Sequence, residues 1–174
     1  MKKKMKKIFK SWKEYLFKPE EPEEILNEVV IKTKEELIDF ITRSPNQEMF
    51  IDTPAGNAKK FGGVSKRTLP FDYGEYPKLI NPADNMGWDI AIVPSSSKRG
   101  TNMLPVGYAQ YHDSDEVWSK VGKEKPDNIS TNTKIILAND GIYSTEDKEI
   151  VNIFFANILQ FKPVVWFKKE ERES

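Results

Sequence analysis

Four short apolar segments, each bounded by polar turn residues, constrain the fold of this chain most strongly. They are Trp88–Val93, Leu104–Tyr111, Thr133–Ala138 and Val164–Phe167. Each has the length of a β-strand and is rich in β-branched or aromatic residues. Helices are predicted around them, because Thr33-Lys-Glu-Glu36 is a capping box and Ser144 or Thr145 caps a strongly apolar stretch. This order of elements predicts an α+β domain with a small antiparallel barrel packed by helices.

The composition narrows the chemistry that this chain can perform. It has 174 residues, no cysteine and one histidine, and its 27 basic side chains balance 27 acidic ones. The lack of cysteine excludes disulfides and thiolate chemistry, and a single histidine argues against a histidine-rich metal site. We interpret His112 as a hydrogen-bonded strand residue in preference to a catalytic base. The balanced charge argues against a nucleic-acid partner, and we see no signal peptide or membrane span, so we expect a cytoplasmic protein.

The N-terminal segment has a composition of its own. Residues 1–18 carry eight lysines and one acid, with apolar residues at helical spacing, and a Pro-Glu stretch reaching Glu24 follows. This pattern predicts a basic amphipathic helix and a linker at 1–24, ahead of a single domain at 25–174. The helix could dock on an anionic membrane surface or a protein partner, or pack its apolar stripe on its own domain. Both interpretations stay open, as does homo-oligomer formation.

A set of acidic, basic and phenolic side chains lies beside the predicted strands. Its acids are Asp84, Asp89 and Asp113, its cations are Lys60, Arg67 and Lys134, and Tyr73 lies near them. If these side chains converge, the acids can bind a divalent cation while lysine and arginine hold phosphate oxygens. Magnesium fits such a site, since it takes few carboxylates and keeps water and substrate oxygens as ligands.

All of these residues except Arg67, which lies nearer Tyr73 than the family's arginine does, fall in motifs that resemble those of soluble (family I) inorganic pyrophosphatases. The motifs are Phe50–Lys60 with its Pro-Ala-Gly-Asn turn, Tyr73-Gly-Glu-Tyr76, Asp84-Asn-Met-Gly-Trp-Asp89, Pro105-Val-Gly-Tyr-Ala-Gln-Tyr-His-Asp113 and Asn132-Thr-Lys134. They occur in the family's order over the chain from about Phe50 to Phe167. The resemblance implies a five-stranded OB-like barrel with flanking helices and Mg²⁺-dependent hydrolysis of pyrophosphate.

The resemblance also implies roles for individual residues. Tyr73, Asp84 and Asp89 would be catalytic, and Asp84, Asp89 and Asp113 would bind Mg²⁺. Lys60, Arg67 and Lys134 would bind the phosphates of pyrophosphate or a similar polyphosphate.

Several positions depart from the family pattern. Met86 stands where the family has an acid that activates the attacking water, and a thioether can neither accept that proton nor bind Mg²⁺ well. Asn132 replaces a second acid, and Ile158-Leu159 replaces a Tyr-Lys pair. The chain is therefore either a pyrophosphatase that hydrolyses pyrophosphate or a related phosphoanhydride, with Asp72, Asp115 or Asp127 as substitute acids, or a degraded, perhaps viral, binding or structural module with this fold.

Overall fold

The computed structural model describes residues 27–61, 66–96, 102–125 and 133–168. The predicted helix at 1–18, Asn132 and Asp127 lie outside the described residues. The strands are β1 (Val29–Val30), β2 (Phe50–Thr53), β3 (Ala58–Lys60), β4 (Lys66–Thr68), β5 (Asp72–Asn81), β6 (Met86–Ile92), β7 (Met103–Gln110), β8 (Thr133–Asn139) and β9 (Val165–Trp166). The α-helices are α1 (Lys34–Arg43), α2 (Asp115–Lys120) and α3 (Thr145–Ala156), with a 3₁₀ turn at Pro94–Ser96.

Seven of the strands form one mixed sheet in the order β1-β5-β6-β8-β7-β9, with β2 also paired to β5. The pairs β1/β5 and β6/β8 are parallel, and the other pairs in this sheet are antiparallel. Strands β3 and β4 form a separate antiparallel hairpin. The α+β class predicted from the sequence is confirmed.

The predicted closed barrel does not appear in the described part of the chain. Strand β8 lies between β6 and β7, and the path of paired strands runs from β1 to the two-residue β9 without returning to β5. The parallel β6/β8 pairing also differs from the purely antiparallel sheet that we expected. The element order alone could not reveal this crossover, because it says nothing about which strands become neighbours.

Each face of the sheet buries its own apolar core. Helix α1 packs Leu37 and Ile41 on one face, together with Trp88 and Ile90. Helix α3 packs Val151 and Phe155 on the other face, which the β3–β4 hairpin and α2 also cover. A strand buried on both faces reads as a continuous apolar run, which explains the compositions of β6 and β8.

Local sequence signals set the ends of the helices. The Thr33 hydroxyl accepts a hydrogen bond from the Glu36 amide at 3.1 Å, so α1 begins where the capping box predicts. Ser144 caps α3 through a reciprocal pair of bonds with Asp147, in which Ser144 Oγ accepts from the Asp147 amide and Asp147 Oδ2 accepts from the Ser144 amide. Both caps satisfy amide groups that a helix start leaves without intrahelical partners.

Candidate functional site

Three side chains from three different strands meet around one carboxylate oxygen. The Tyr73 hydroxyl donates a hydrogen bond to Asp89 Oδ2 at 3.0 Å, and Lys134 Nζ donates to the same oxygen at 2.8 Å. Lys134 is nearly buried, with 7% of its side chain exposed, whereas 31% of the Asp89 side chain is exposed. We name Tyr73, Asp89 and Lys134 the Asp89 cluster. It joins residues 16 and 45 positions apart in the sequence.

The register of the central strands explains why these residues meet. Asp89 on β6 lies opposite Lys134 on β8, and Tyr73 on β5 lies opposite Ala91, two residues beyond Asp89. Successive side chains of a strand alternate between faces, so Tyr73, Asp89 and Lys134 all lie on the face that α3 covers. The cluster is at the end of the sheet where β8 begins and β7 ends.

Aromatic rings surround the ammonium group of Lys134. Its Nζ atom lies 5.9 Å from the centre of the Tyr73 ring and 5.6 Å from the centre of the Tyr111 ring. Burial raises the pKa of Tyr73 well above its ordinary value, and the neighbouring Asp89 charge and hydrogen bond raise it further. Burial and the Asp89 charge also raise the pKa of Tyr111. Both tyrosines are therefore neutral hydrogen-bond donors at physiological pH.

Asp84 lies in the turn that connects β5 to β6. Asn85 in this turn has a φ of 60°, and Asp84 Oδ1 accepts a hydrogen bond from the Met86 amide at 3.0 Å. Burial raises the pKa of Asp84, the Met86 amide partly offsets this, and the Asp89 charge raises the pKa again. Asp84 is thus close enough to the Asp89 cluster to interact with it electrostatically. Met86, between the two acids, exposes 47% of its surface.

The β3–β4 hairpin brings Lys59, rather than the predicted Lys60, to the cluster. Lys59 Nζ lies 4.9 Å from the centre of the Tyr73 ring, and Phe61 packs on the same ring with centroids 5.3 Å apart. Neighbouring residues of a strand point to opposite faces, so Lys60 is exposed where Lys59 is half-buried. In the hairpin register Lys60 lies opposite Lys66. The predicted Arg67 is half-buried and pairs with Lys59, so it shares the inward face of the hairpin.

Asp113 does not join Asp84 and Asp89 in a cluster. Its side chain is 72% exposed, and its Oδ1 lies 4.0 Å from Lys162 Nζ. Two of the acids proposed as substitutes are also engaged elsewhere. Asp72 Oδ1 accepts a hydrogen bond from the Ala55 amide at 2.8 Å, and Asp115 forms an ion pair with Lys125 at 3.1 Å.

Two acids near the cluster were missed by the sequence reasoning. Glu75 lies directly opposite Asp89 in the β5/β6 register, and a Cβ atom added to Gly87 would come within 3.2 Å of Glu75 Oε1. Asp52, at the irregularity between β2 and β5, also contributes to the raised pKa of Tyr73. Alternation within Tyr73-Gly-Glu-Tyr76 could have identified Glu75, because residues two apart on a strand share a face.

The donor chemistry of this region suits a loosely held divalent cation. No group of three acidic or histidine side chains that could hold a metal occurs in the described residues. Mg²⁺ needs only one or two carboxylates when phosphate oxygens complete its shell. Asp84 and Asp89 would be the carboxylates to hold such a cation, since the Tyr73 and Lys134 donors both use Oδ2 of Asp89. A bound Mg²⁺ would offset the charge between these carboxylates and a polyphosphate.

No family model, curated protein or solved structure matches this chain. Within the described ranges, no helix is long and apolar enough to span a membrane.

Proposed function

We propose that this chain is a pyrophosphatase-like protein that binds pyrophosphate or a similar polyphosphate together with Mg²⁺ at the Asp89 cluster, without efficient hydrolysis. The observation that carries this proposal is the direct contact of Tyr73 and Lys134 with Asp89. These three residues come from three separate motifs of the family resemblance. Residues that share one binding site must lie close together, and these three do.

The charges around the cluster fit a polyanion that carries a cation. Lys59 and Arg67 share the inward face of the hairpin, and neither forms an ion pair with a described residue. Asp89 contacts Tyr73, whose ring Lys59 approaches, and Asp84 lies close enough to Asp89 for their charges to interact. In this arrangement the basic side chains hold phosphate oxygens, while the two carboxylates hold the accompanying Mg²⁺.

Binding is favoured over hydrolysis because the chain lacks the acid that activates the attacking water in the family that it resembles. Met86, the first residue of β6, occupies that position, and Asp113, predicted as a further metal ligand, is exposed and lies beside Lys162. Loss of one group that stabilises a transition state commonly lowers the rate by about 10²–10³-fold. A chain that lacks two such groups is expected to retain binding and lose most turnover.

Three finer predictions from the sequence remain proposals. They are the closed OB-like barrel, which the element order and the resemblance both favour, the docking role of residues 1–18, which rests on their basic amphipathic pattern, and a cytoplasmic location. The barrel would require a strand pairing beyond those of the described residues. A truncation of 1–18 that leaves localisation and partner binding unchanged would argue against the docking role.

Calorimetry with imidodiphosphate, a pyrophosphate analogue that resists hydrolysis, tests the binding proposal. The native chain should bind the analogue in the presence of MgCl₂, and Asp84→Asn should weaken binding at least about tenfold by removing a charged ligand. Asp115→Asn is the matched control, because Asp115 is exposed and paired with Lys125 away from the cluster. Absence of saturable binding to the native chain would contradict the proposal.

A second candidate function is Mg²⁺-dependent hydrolysis of pyrophosphate. It is favoured by one observation, the position of Glu75 directly opposite Asp89, which supplies another carboxylate near the cluster. Phosphate release should then depend on Glu75, so Glu75→Gln should abolish turnover while leaving imidodiphosphate binding intact. Under the binding proposal, the native chain releases no phosphate from pyrophosphate above the background rate.

A further inference from the structure

A cleft lies beside the first turn of α3. It has a volume of about 360 Å³ and is lined by residues 143–145, Lys148 and residues 166–168. Small-molecule sites typically begin at a volume of about 300 Å³. No residue of the Asp89 cluster lines this cleft, so any ligand that it binds is separate from the polyphosphate proposed above.

One wall of the cleft is a fixed aromatic pair. The rings of Tyr143 and Trp166 stack with their centroids 5.0 Å apart and an interplanar angle of 30°. The indole nitrogen of Trp166 donates a hydrogen bond to Asn152 Oδ1 at 2.8 Å, which holds the ring against α3. Burial raises the pKa of the Tyr143 hydroxyl, so this ring stays uncharged. The pair offers an ordered, neutral surface for another ring.

The cleft also contains two cations that have no carboxylate partner among the described residues. Neither Lys148 nor Lys168 forms an ion pair with a residue in the described ranges, and Lys148 Nζ lies 6.0 Å from the centre of the Trp166 ring. Lysines at two other surface positions differ in this respect, because Lys125 pairs with Asp115 and Lys162 pairs with Asp113. Two ammonium groups in one cleft favour a negatively charged ligand.

We propose that this cleft binds a small aromatic anion, with its ring against Tyr143 and Trp166 and its phosphate or carboxylate group between Lys148 and Lys168. The combination decides the ligand class. An aromatic wall alone would take a neutral ring, and two lysines alone would take any anion. Together they favour a molecule that carries both features, such as an aryl phosphate.

Nuclear magnetic resonance with phenyl phosphate as the probe tests this assignment on the full chain. The reporter is the indole N–H resonance of Trp166, which is identified among those of the four tryptophans by its loss in Trp166→Phe. We expect phenyl phosphate to shift this resonance saturably and inorganic phosphate to shift it far less. Lys148→Gln and Lys168→Gln should each weaken phenyl phosphate about three- to tenfold. Lys162→Gln, which changes a paired lysine outside the cleft, should leave the affinity unchanged.

Three results would overturn the assignment. The first is the absence of any saturable shift with phenyl phosphate. The second is equal weakening by Lys162→Gln and Lys148→Gln, which would indicate a general charge effect. The third is an equal response to inorganic phosphate and phenyl phosphate, which would remove the aromatic part of the ligand class. The same NMR spectra show whether a variant is folded. If either Lys148→Gln or Lys168→Gln fails to fold, the affinity of the other variant decides the test.

Discussion

Tyr73 and Tyr76 carry the same hydroxyl group three residues apart on β5, in the cores on opposite faces of the sheet. Tyr73 donates to Asp89, whereas the buried Tyr76 hydroxyl has no hydrogen-bond partner among the described residues. A buried polar group without a partner costs stability, and its removal costs nothing in hydrogen bonding.

Replacing each tyrosine by phenylalanine should therefore give different results. Tyr76→Phe should leave the free energy of unfolding unchanged or raise it by up to about 1 kcal/mol, because no hydrogen bond is lost. Tyr73→Phe should lower it by about 1.5–3 kcal/mol, because it removes a bond to a charged acceptor. Urea unfolding monitored by circular dichroism measures both. A larger decrease in the free energy of unfolding for Tyr76→Phe than for Tyr73→Phe would contradict this account of β5.

At the level of elements, Asp147 connects α3 to the chain that follows β6. Its Oδ2 atom accepts hydrogen bonds from the Ser95 hydroxyl at 2.5 Å and the Ser144 amide at 3.0 Å, and its Oδ1 accepts from the Ser95 amide at 3.0 Å. Burial alone would raise the pKa of Asp147, but these bonds hold it below its ordinary value of 3.8. The ionised form is therefore favoured in the folded protein.

Asp147→Asn should destabilise the protein by about 1–3 kcal/mol at pH 7. A carboxyl whose folded pKa is lowered contributes its stability above its unfolded pKa and loses that contribution as pH falls through its folded pKa. The difference between the native chain and Asp147→Asn should thus be constant above about pH 5 and shrink below pH 3.8. Glu146→Gln, in the same helical turn but exposed, should change little. A difference that grows as pH falls would refute this role of the cap.

Two glycines allow neighbouring strands to approach β5 and β7. A Cβ atom on Gly74 would lie 1.9 Å from the Phe50 carbonyl oxygen of β2, and one on Gly107 would lie 2.3 Å from the Val165 carbonyl oxygen of β9. Neither contact can be relieved without moving backbone.

Alanine at these glycines should release different strands. Gly74→Ala should expose the amides of β2 to hydrogen exchange, and Gly107→Ala should expose those of β9, so each variant serves as the control for the other. We expect each to cost about 1–3 kcal/mol, the usual penalty for overpacking a well-packed position. Equal protection of β2 amides in the native chain and Gly74→Ala would show that the close approach is not required.

At the scale of the whole molecule, the sequence predicted most elements and few of the contacts between them. The strands that contain Trp88, Leu104 and Ile135 and the caps at Thr33 and Ser144 were predicted, because each depends on a local pattern. Strand β5 was missed because Gly74 and Pro77 resemble turn residues. Pro77 lies in the irregularity between Tyr76 and Ile80, where it need not donate a ladder hydrogen bond. Helix α2, with six residues, is too short for a periodic signal.

The part of the candidate site that depends on local sequence motifs was also predictable. Asp89, Lys134 and Tyr73 were identified from motifs, and the structure brings them together. The choice between Lys59 and Lys60 depends on which face of a three-residue strand points inward, and composition cannot determine that. The position of Asp113 depends on how the chain runs between β7 and α2, where the Asp113 carboxylate lies near Lys162. Contacts across strands require the register, which a single sequence does not specify.

The adjacent lysines of β3 provide the most direct test of the central claim, that the Asp89 cluster and the inward face of the hairpin bind a polyphosphate. Calorimetry with imidodiphosphate and MgCl₂ should show Lys59→Gln weakening the affinity about tenfold, because Lys59 points towards Tyr73. Lys60→Gln removes the same charge one residue away and should leave the affinity within about twofold of the native value, since exposed charges contribute little. Equal losses in the two variants, or a loss confined to Lys60→Gln, would contradict the account.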